Sequence, residues 1–372
     1  MAITDPNTVL ILGAGVSAPF GIPLGGDLIT LIARAIETER PRIYKKDPYP
    51  RNARTSFLYA AKDRDSYMQT PIFGALARKH LASDEKDIDW GGLQKDVERL
   101  DTMQQLLTNQ TSETIDDFIV ENPGYADLAK IAIAALILAR CYRANDQNGI
   151  RTWCCQQFAA RHCGPENERN WIHLLINVIR HGIRKSVVTA ENKIRIVSFN
   201  YDRILEHVLE AQFSNTEAKH AHYSNFVEVL HVHGAFDPIE QERLNFPTQT
   251  LKWAQNIHVV NETTVPEELA QVRERARALI MSASEVYSAG FAFAGPNCQL
   301  INLDRWARAE GGRKYLRYCN YDGNVGVKRS AENLFRGVLP KRFEIDEAAG
   351  TPERRLSVSD WLKSGHLGEL PG

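Results

Sequence analysis

The six cysteines form no Cys-x-x-Cys pair, and none at all occurs between Cys163 and Cys298. That excludes a disulfide scaffold, and it excludes a four-cysteine metal ribbon in the second half of the chain. Long apolar runs are missing too. The longest strongly apolar stretch, Ile131 to Ala139, falls far short of the roughly 18–20 residues a spanning helix needs. The opening Met1-Ala-Ile-Thr-Asp-Pro6 has neither the basic flank nor the apolar centre of a cleavable signal. A reduced, cytoplasmic setting is therefore expected, with no membrane contact. Charge of one sign is lacking as well: 45 Lys and Arg stand against 46 Asp and Glu, a formal net charge of −1. A near-neutral chain gives no global electrostatic case for nucleic acid. What remains is 372 residues at 43% hydrophobic, an ordinary globular balance long enough for roughly two to three domains.

Thr8-Val-Leu-Ile-Leu12 reads as a strand buried on both faces. Gly13-Ala-Gly15 follows, then a helical period over Asp27 to Glu39 (Leu28, Leu31, Ile32, Ala35, Ile36). No strand pattern returns until about residue 187. Instead come a polar, basic stretch with Arg40 to Arg54 and then helical periods over Leu93–Leu107, Tyr125–Tyr142 and Trp171–Ile183. Strands resume at Lys193–Phe199, Phe226–Val232, Glu285–Phe293 and Lys314–Cys319. Helices are expected over Arg203–Phe213 and Pro266–Ser282, the latter capped by Thr264. This alternation predicts an α/β fold, a Rossmann-like doubly wound parallel sheet with a large helical insertion. The expected domains are 1–39 with 187–345 for the sheet and 40–186 for the insertion, with 346–372 as a C-terminal tail. From Asp84 to Asp127 twelve acidic residues face three basic ones. A set of solvated helix faces explains this, and a partner-docking surface is the sharper alternative.

In such a sheet, ligands sit beyond the carboxyl ends of the strands. Three polar motifs fall there: Gly13-Ala-Gly15, Asn200-Tyr-Asp202 and His233-Gly234. The first fits Gly-x-Gly-x-x-Ala through Ala18, a turn whose glycines let backbone approach a diphosphate at a helix amino end. A tight strand-to-helix turn without a ligand satisfies it equally. No acidic residue on a following second strand supports a dehydrogenase. Asn200 and Asp202 also suit plain helix caps, and His233 a hydrogen-bonded structural histidine. Paired on a strand, His231 and His233 share a face and raise the option of a metal, but no cysteine or clear carboxylate completes that set.

Taken in order, the motifs carry a resemblance. Gly13-Ala-Gly-Val-Ser-Ala-Pro-Phe-Gly-Ile-Pro23 resembles the first motif of the sirtuin-like (silent information regulator) family. Ser198-Phe-Asn200-Tyr-Asp202 with Arg203-Ile-Leu-Glu206 is similar to the second motif of its bacterial members, and His233-Gly234 to the third. Glu113-Thr-Ile-Asp-Asp-Phe118 resembles a segment of their helical insertion. The resemblance runs from about residue 8 to 320 and implies NAD as substrate, cleaved between nicotinamide and ribose. It implies that Gly13, Ala14, Gly15 and Ser17, with Ile22 and Pro23 completing the motif, cradle the diphosphate. Asn200 would orient the ribose or a water, Asp202 would hold the nicotinamide carboxamide, and His233 would act as general base. Gly290, Phe291 and Asn320, at later strand ends, are weaker candidates for the adenosine half. Oxocarbenium-like charge at the ribose calls for orientation and a base working near neutral pH, which imidazole supplies.

Two departures set the subclass. The cysteine gap removes the deacylases' structural zinc, and Leu24-Gly25-Gly26 stands where they carry Asp-Phe-Arg. The resemblance is then to anti-phage effectors that hydrolyse NAD to ADP-ribose and nicotinamide, without zinc. The alternatives are an NAD-dependent deacylase or ADP-ribosyl transferase, and a non-catalytic module that binds NAD or ADP-ribose. A hydrolase draining NAD needs restraint. With no room expected for a sensor domain, the resemblance implies a homo-oligomer and a regulator such as a HerA-type ATPase, with the acidic stretch as a contact surface.

Overall fold

The computed structural model describes residues 4–44, 71–81, 89–109, 112, 114–144, 151–153, 171–214, 222–237, 246–260, 262, 264–310, 312–320, 324–336, 343–349 and 358–361. In chain order its elements begin with β1 (Thr8–Leu12), α1 (Gly25–Tyr44), α2 (Pro71–Lys79), α3 (Trp90–Asn109), α4 (Ile115–Glu121) and α5 (Ala126–Cys141). Next come β2 (Tyr142–Ala144), β3 (Arg151–Trp153), α6 (Trp171–Arg184), β4 (Ile194–Ser198), α7 (Ile204–Ser214), β5 (Val227–His231) and α8 (Phe246–Gln255). The last are α9 (Glu267–Ser282), β6 (Glu285–Ala289), α10 (Gly295–Leu300), α11 (Leu303–Trp306), β7 (Lys314–Asn320), α12 (Val325–Leu334), β8 (Phe343–Ala349) and α13 (Val358–Trp361).

Two compact units emerge, one of residues 1–21, 155–235 and 260–372, the other of 22–154 and 236–259. The first holds a six-stranded sheet in the order β5-β4-β1-β6-β7-β8, every pairing parallel. Counted along the chain, its strands run 3-2-1-4-5-6, the doubly wound order of dinucleotide-binding folds. The expected α/β, Rossmann-like fold is therefore present. Period-two alternation divides β1 between two buried layers. Val9 and Ile11 join Ala276, Leu279 and Ile280 of α9, Trp306 and Phe335 in one core. Tyr287, next to Val286 along β6, points the other way and meets Trp361 of α13 at 6.1 Å between ring centroids.

The unit boundaries differ from the expected 39, 186 and 345 for physical reasons. Helix α1 packs on α3, α4, α2 and α5 rather than on the sheet. Helix α6 carries a Trp171 indole N–H that donates to the Val16 carbonyl at 2.9 Å, which ties it to the β1 side. Residues 236–259 rejoin the helical unit because α8 packs on α5 and α2, while the Phe236–Trp253 stack at 4.2 Å closes the segment on itself. The tail is not separate either: β8 runs to Ala349 as the edge strand, and Trp361 is buried. A small antiparallel pair, β2 with β3, also sits where no strand was expected.

Among its described residues the helical unit is held by apolar stripes and by a partly exposed ionic knot around the buried Asp96. Asp96 accepts from Lys79 Nζ at 2.8 Å and from Arg99 at 2.7 Å, and meets His80 Nε2 at 2.9 Å. Arg99 also reaches Asp127 at 2.7 Å. Burial alone would raise the Asp96 carboxyl, but these partners outweigh it and hold it down at about 2. Thr114 and Asp117 close a reciprocal cap on α4. Part of the acidic stretch is thus spent inside the unit. The side chains of the basic segment Arg40 to Arg54, of Glu113, of His220 and of Cys154, Cys155 and Cys163 lie outside the described residues.

Among the described residues, Ala18–Glu39 is long and apolar enough by composition to cross a membrane. Its backbone is not one helix, since a 3-10 turn over Ala18–Phe20 ends at Gly21 with φ 84° and α1 starts only at Gly25.

Candidate functional site

Register brings the predicted motifs to one edge of the sheet. Leu12 pairs with Ser198, Ser198 with His231, and Leu12 with Ala289. The chain therefore leaves β1, β4, β5 and β6 at one level, with Gly13, Phe199, Val232 and Gly290 next in line. Beyond β1 and β4 lies a small cleft of about 10 Å³, room for roughly one water molecule. Ser17, Phe20, Trp171, Asn200, Asp202 and Glu206 are among its lining residues.

Asn200 is the centre of this arrangement. Its side-chain Nδ2 donates to the Ser17 hydroxyl at 3.0 Å, and its backbone N–H donates to Ser198 Oγ at 3.2 Å. Its Oδ1 is buried without a partner. An unpaired buried acceptor is costly, so this atom is where a donor from a ligand or water would be rewarded. Asp202 lies beside it, also buried. Burial pushes its carboxyl above the usual range, against the Ser17 hydroxyl and the Ile204 N–H, while Glu206 adds to the rise. The Ile204 N–H donates to Asp202 Oδ1 at 3.2 Å, so the plain capping role is present as well.

The glycines do something other than expected. A Cβ on Gly15 would sit 2.7 Å from the Cα of Gly290, and one on Gly13 would collide with the Gly290 carbonyl. Gly290 itself has φ 64°, which only glycine adopts without strain. The three residues are required for loop-on-loop packing. Several N–H groups of the first turn are engaged too: Gly13 donates to Ala289 O at 3.0 Å, Gly15 to Gly290 O at 3.1 Å, Val16 to Gly13 O at 3.1 Å and Ser17 to Ala14 O at 3.1 Å. The turn leads into two 3-10 segments, Ala14–Val16 and Ala18–Phe20, not into an α-helix amino end. The dipole argument for a diphosphate at this turn does not hold in this conformation. Ile22 and Pro23 fall in the other unit.

His233 is buried at the end of β5 but is not among the residues lining the cleft. Its ring lies 5.3 Å from Phe199 and edge-on to Tyr201 at 6.0 Å, and Nε2 reaches Asn297 Oδ1 at 3.2 Å. Behind it the buried Arg273 donates to the Val232 carbonyl at 2.9 Å. Phe291 is a core residue, 4.7 Å from Phe199 between ring centroids. Asn320 is spent on its own loop: Nδ2 donates to Asn324 O at 3.1 Å and Glu347 Oε1 at 2.8 Å, while Oδ1 accepts from Asn324 N at 3.0 Å.

Trp171, Asn297 and the His231–Glu206 pair enter this region without having been singled out for it. His231 had been weighed only as a metal ligand beside His233. Instead its Nδ1 donates to Asn200 O at 2.8 Å and its Nε2 meets Glu206 at 2.6 Å. Period-two strand geometry pointed to a shared face, but the partners lie on the neighbouring strand end and on α7. No group of metal-ligating side chains occurs among the described residues. Compared with known proteins, the chain matches no family model and no curated sequence.

Proposed function

We propose that the chain is an NAD glycohydrolase that cleaves the nicotinamide–ribose bond to give ADP-ribose and nicotinamide. The observation that carries this reading is the Asn200 side chain, anchored by Ser17 at 3.0 Å with a buried, unpartnered Oδ1, on a residue that lines a cleft together with Asp202. It is joined by the ordered resemblance of three strand-end motifs. In this reaction the C1′–N bond breaks and its electron pair returns to the nicotinamide ring. Water oxygen bonds to C1′, and its proton passes to a base. Asn200 Oδ1 accepts a hydrogen bond from that water or from a ribose hydroxyl. Asp202, with a raised proton affinity, suits hydrogen bonding to a neutral carboxamide. His233 is the base, and its imidazole must turn from Asn297 toward the cleft.

This last requirement favours a second reading, a module that binds NAD or ADP-ribose without turnover. Incubation of the full chain with NAD followed by chromatography decides between them. Equal amounts of ADP-ribose and nicotinamide, lost in N200A and H233A, support the hydrolase. Tight binding with unchanged NAD selects the module, and ADP-ribose attached to an acceptor selects a transferase. The proposal extends to a cytoplasmic effector that drains NAD during phage infection and is restrained by self-association or by a partner in trans. A chain fully active as an isolated monomer refutes that extension.

A further inference from the structure

We propose that the buried His231–Glu206 pair is a charged clamp that positions Asn200 in the cleft, with His231 acting through the Asn200 carbonyl. The inference rests on the hydrolase reading for its catalytic consequence, while the clamp itself has a readout of its own.

Geometry sets the protonation. His231 Nδ1 lies 2.8 Å from a backbone carbonyl, which only accepts, so Nδ1 carries a proton. Nε2 lies 2.6 Å from Glu206 Oε1, a contact that needs one more proton on either the ring or the carboxyl. Arg203 Nε donates to the same Oε1 at 3.1 Å, which favours the carboxylate and leaves the proton on the ring. Burial alone would raise Glu206 and lower His231. The pairing outweighs it in both directions, holding Glu206 at about 2 and His231 above the ordinary imidazole range. Glu206 faces the ring from α7, and Asp202 and Arg203 face it from the strand-end loop that precedes this helix. Tyr223 borders Glu206 and Arg203.

Asn200 is thus held at three points. Ser198 takes its N–H, His231 its carbonyl and Ser17 one hydrogen of its Nδ2, and Oδ1 is left for a ligand. Such pre-positioning is worth up to roughly 100-fold in rate when reacting groups are otherwise misplaced by about 1 Å. As pH rises and His231 loses a proton, a bare Nε2 would confront the Glu206 carboxylate and the clamp would open. The pair therefore predicts an alkaline fall in turnover.

Nitrogen-15 imidazole spectra of the full chain across pH, run beside NAD product analysis for the parent, E206Q and H231Q, test this. At about pH 7.5 the parent His231 ring is expected to be doubly protonated, and singly protonated in E206Q, where the amide can donate to a neutral Nε2. The alkaline fall in kcat should track His231 in the parent and vanish in E206Q. H231Q should lower kcat roughly 100-fold with little change in KM. A singly protonated parent ring, or H231Q with parental kcat, overturns the proposal. Should the parent not cleave NAD at all, the hydrolase reading falls. The clamp is then decided by the Asn200 side-chain amide resonances in H231Q: displaced, it stands; unmoved, it is wrong.

Discussion

Ser17 and Asn200 stand 183 residues apart in the chain and meet through a 3.0 Å hydrogen bond from the Asn200 amide to the Ser17 hydroxyl. The same hydroxyl stabilises the ionised form of Asp202. One serine thus joins the first strand-end motif to both polar members of the second. Ser17→Ala removes both links but leaves the backbone bonds of the turn in place. The expected cost in stability is about 1–2 kcal/mol, since a buried donor is left unmet. NAD cleavage is expected to fall at least roughly tenfold, because the Asn200 amide loses its anchor. Denaturant titration and product chromatography measure the two effects separately.

Gly290 gives a second prediction with a built-in control. Its φ of 64° and the nearby Val16 N–H and Gly15 backbone leave no place for a methyl group. Gly290→Ala is expected to destabilise the sheet unit by about 2 kcal/mol or more. Gly295→Ala, where nothing lies within 4 Å of the new Cβ, should change stability by less than about 0.5 kcal/mol. Equal urea midpoints for the two variants would refute the packing account of the glycines.

These same glycines show what a sequence can and cannot convey. Apolar β-branched runs ending in polar motifs were sufficient for five of the six parallel strands, and the strand-end rule brought Gly13-Ala-Gly15 and Asn200-Tyr-Asp202 to one level, while Ser17 entered through the motif resemblance alone. The spacing Gly-x-Gly could not say whether its missing side chains make room for a phosphate or for Gly290, because a contact across 275 residues leaves no local trace. Helix α9 is expected from its start signals, yet its N-cap is Pro266 with no side-chain cap rather than Thr264. The return of residues 236–259 to the helical unit hinges on α8 packing against α5 and α2, and a contact between segments so far apart in the chain has no periodic signature. The partners of His231 were not legible, because period two reports which face a side chain takes but not which partner waits there.

Asp202 links pH to stability. Its carboxyl is raised above the unfolded value, chiefly by burial, so the folded state binds more proton there than the unfolded chain between the two pKa values. Stability therefore falls as pH climbs from the ordinary aspartate value through the raised one. Asp202→Asn removes this term. The variant should be more stable than the parent at neutral pH, and the advantage should fade as pH drops below the ordinary aspartate range. Its NAD cleavage should nonetheless drop by roughly tenfold or more, since the carboxyl is assigned to the carboxamide. Chemical denaturation at a series of pH values, with activity measured at each, gives both results. Parallel stability curves for variant and parent would show that Asp202 is not the titrating group.

Trp171 offers the last test, because it acts on the cleft from outside the three motifs. Its indole N–H donates to the Val16 carbonyl at 2.9 Å, fixing the turn that carries Ser17 while its ring closes one wall of the cleft. Trp171→Phe keeps an aromatic wall and deletes the donor, leaving a buried carbonyl unpaired at a cost of about 1–2 kcal/mol. Freed of that tether, the Ser17 turn should fluctuate, and hydrogen exchange at the Val16 and Ser17 amides should quicken ahead of any change in β4. If the turn matters for ligand placement, KM for NAD should rise several-fold in this variant while S17A acts mainly on kcat. Unaltered exchange at these amides would mean that the turn is held by its own 3-10 bonds and by Gly290, and that the indole serves packing alone.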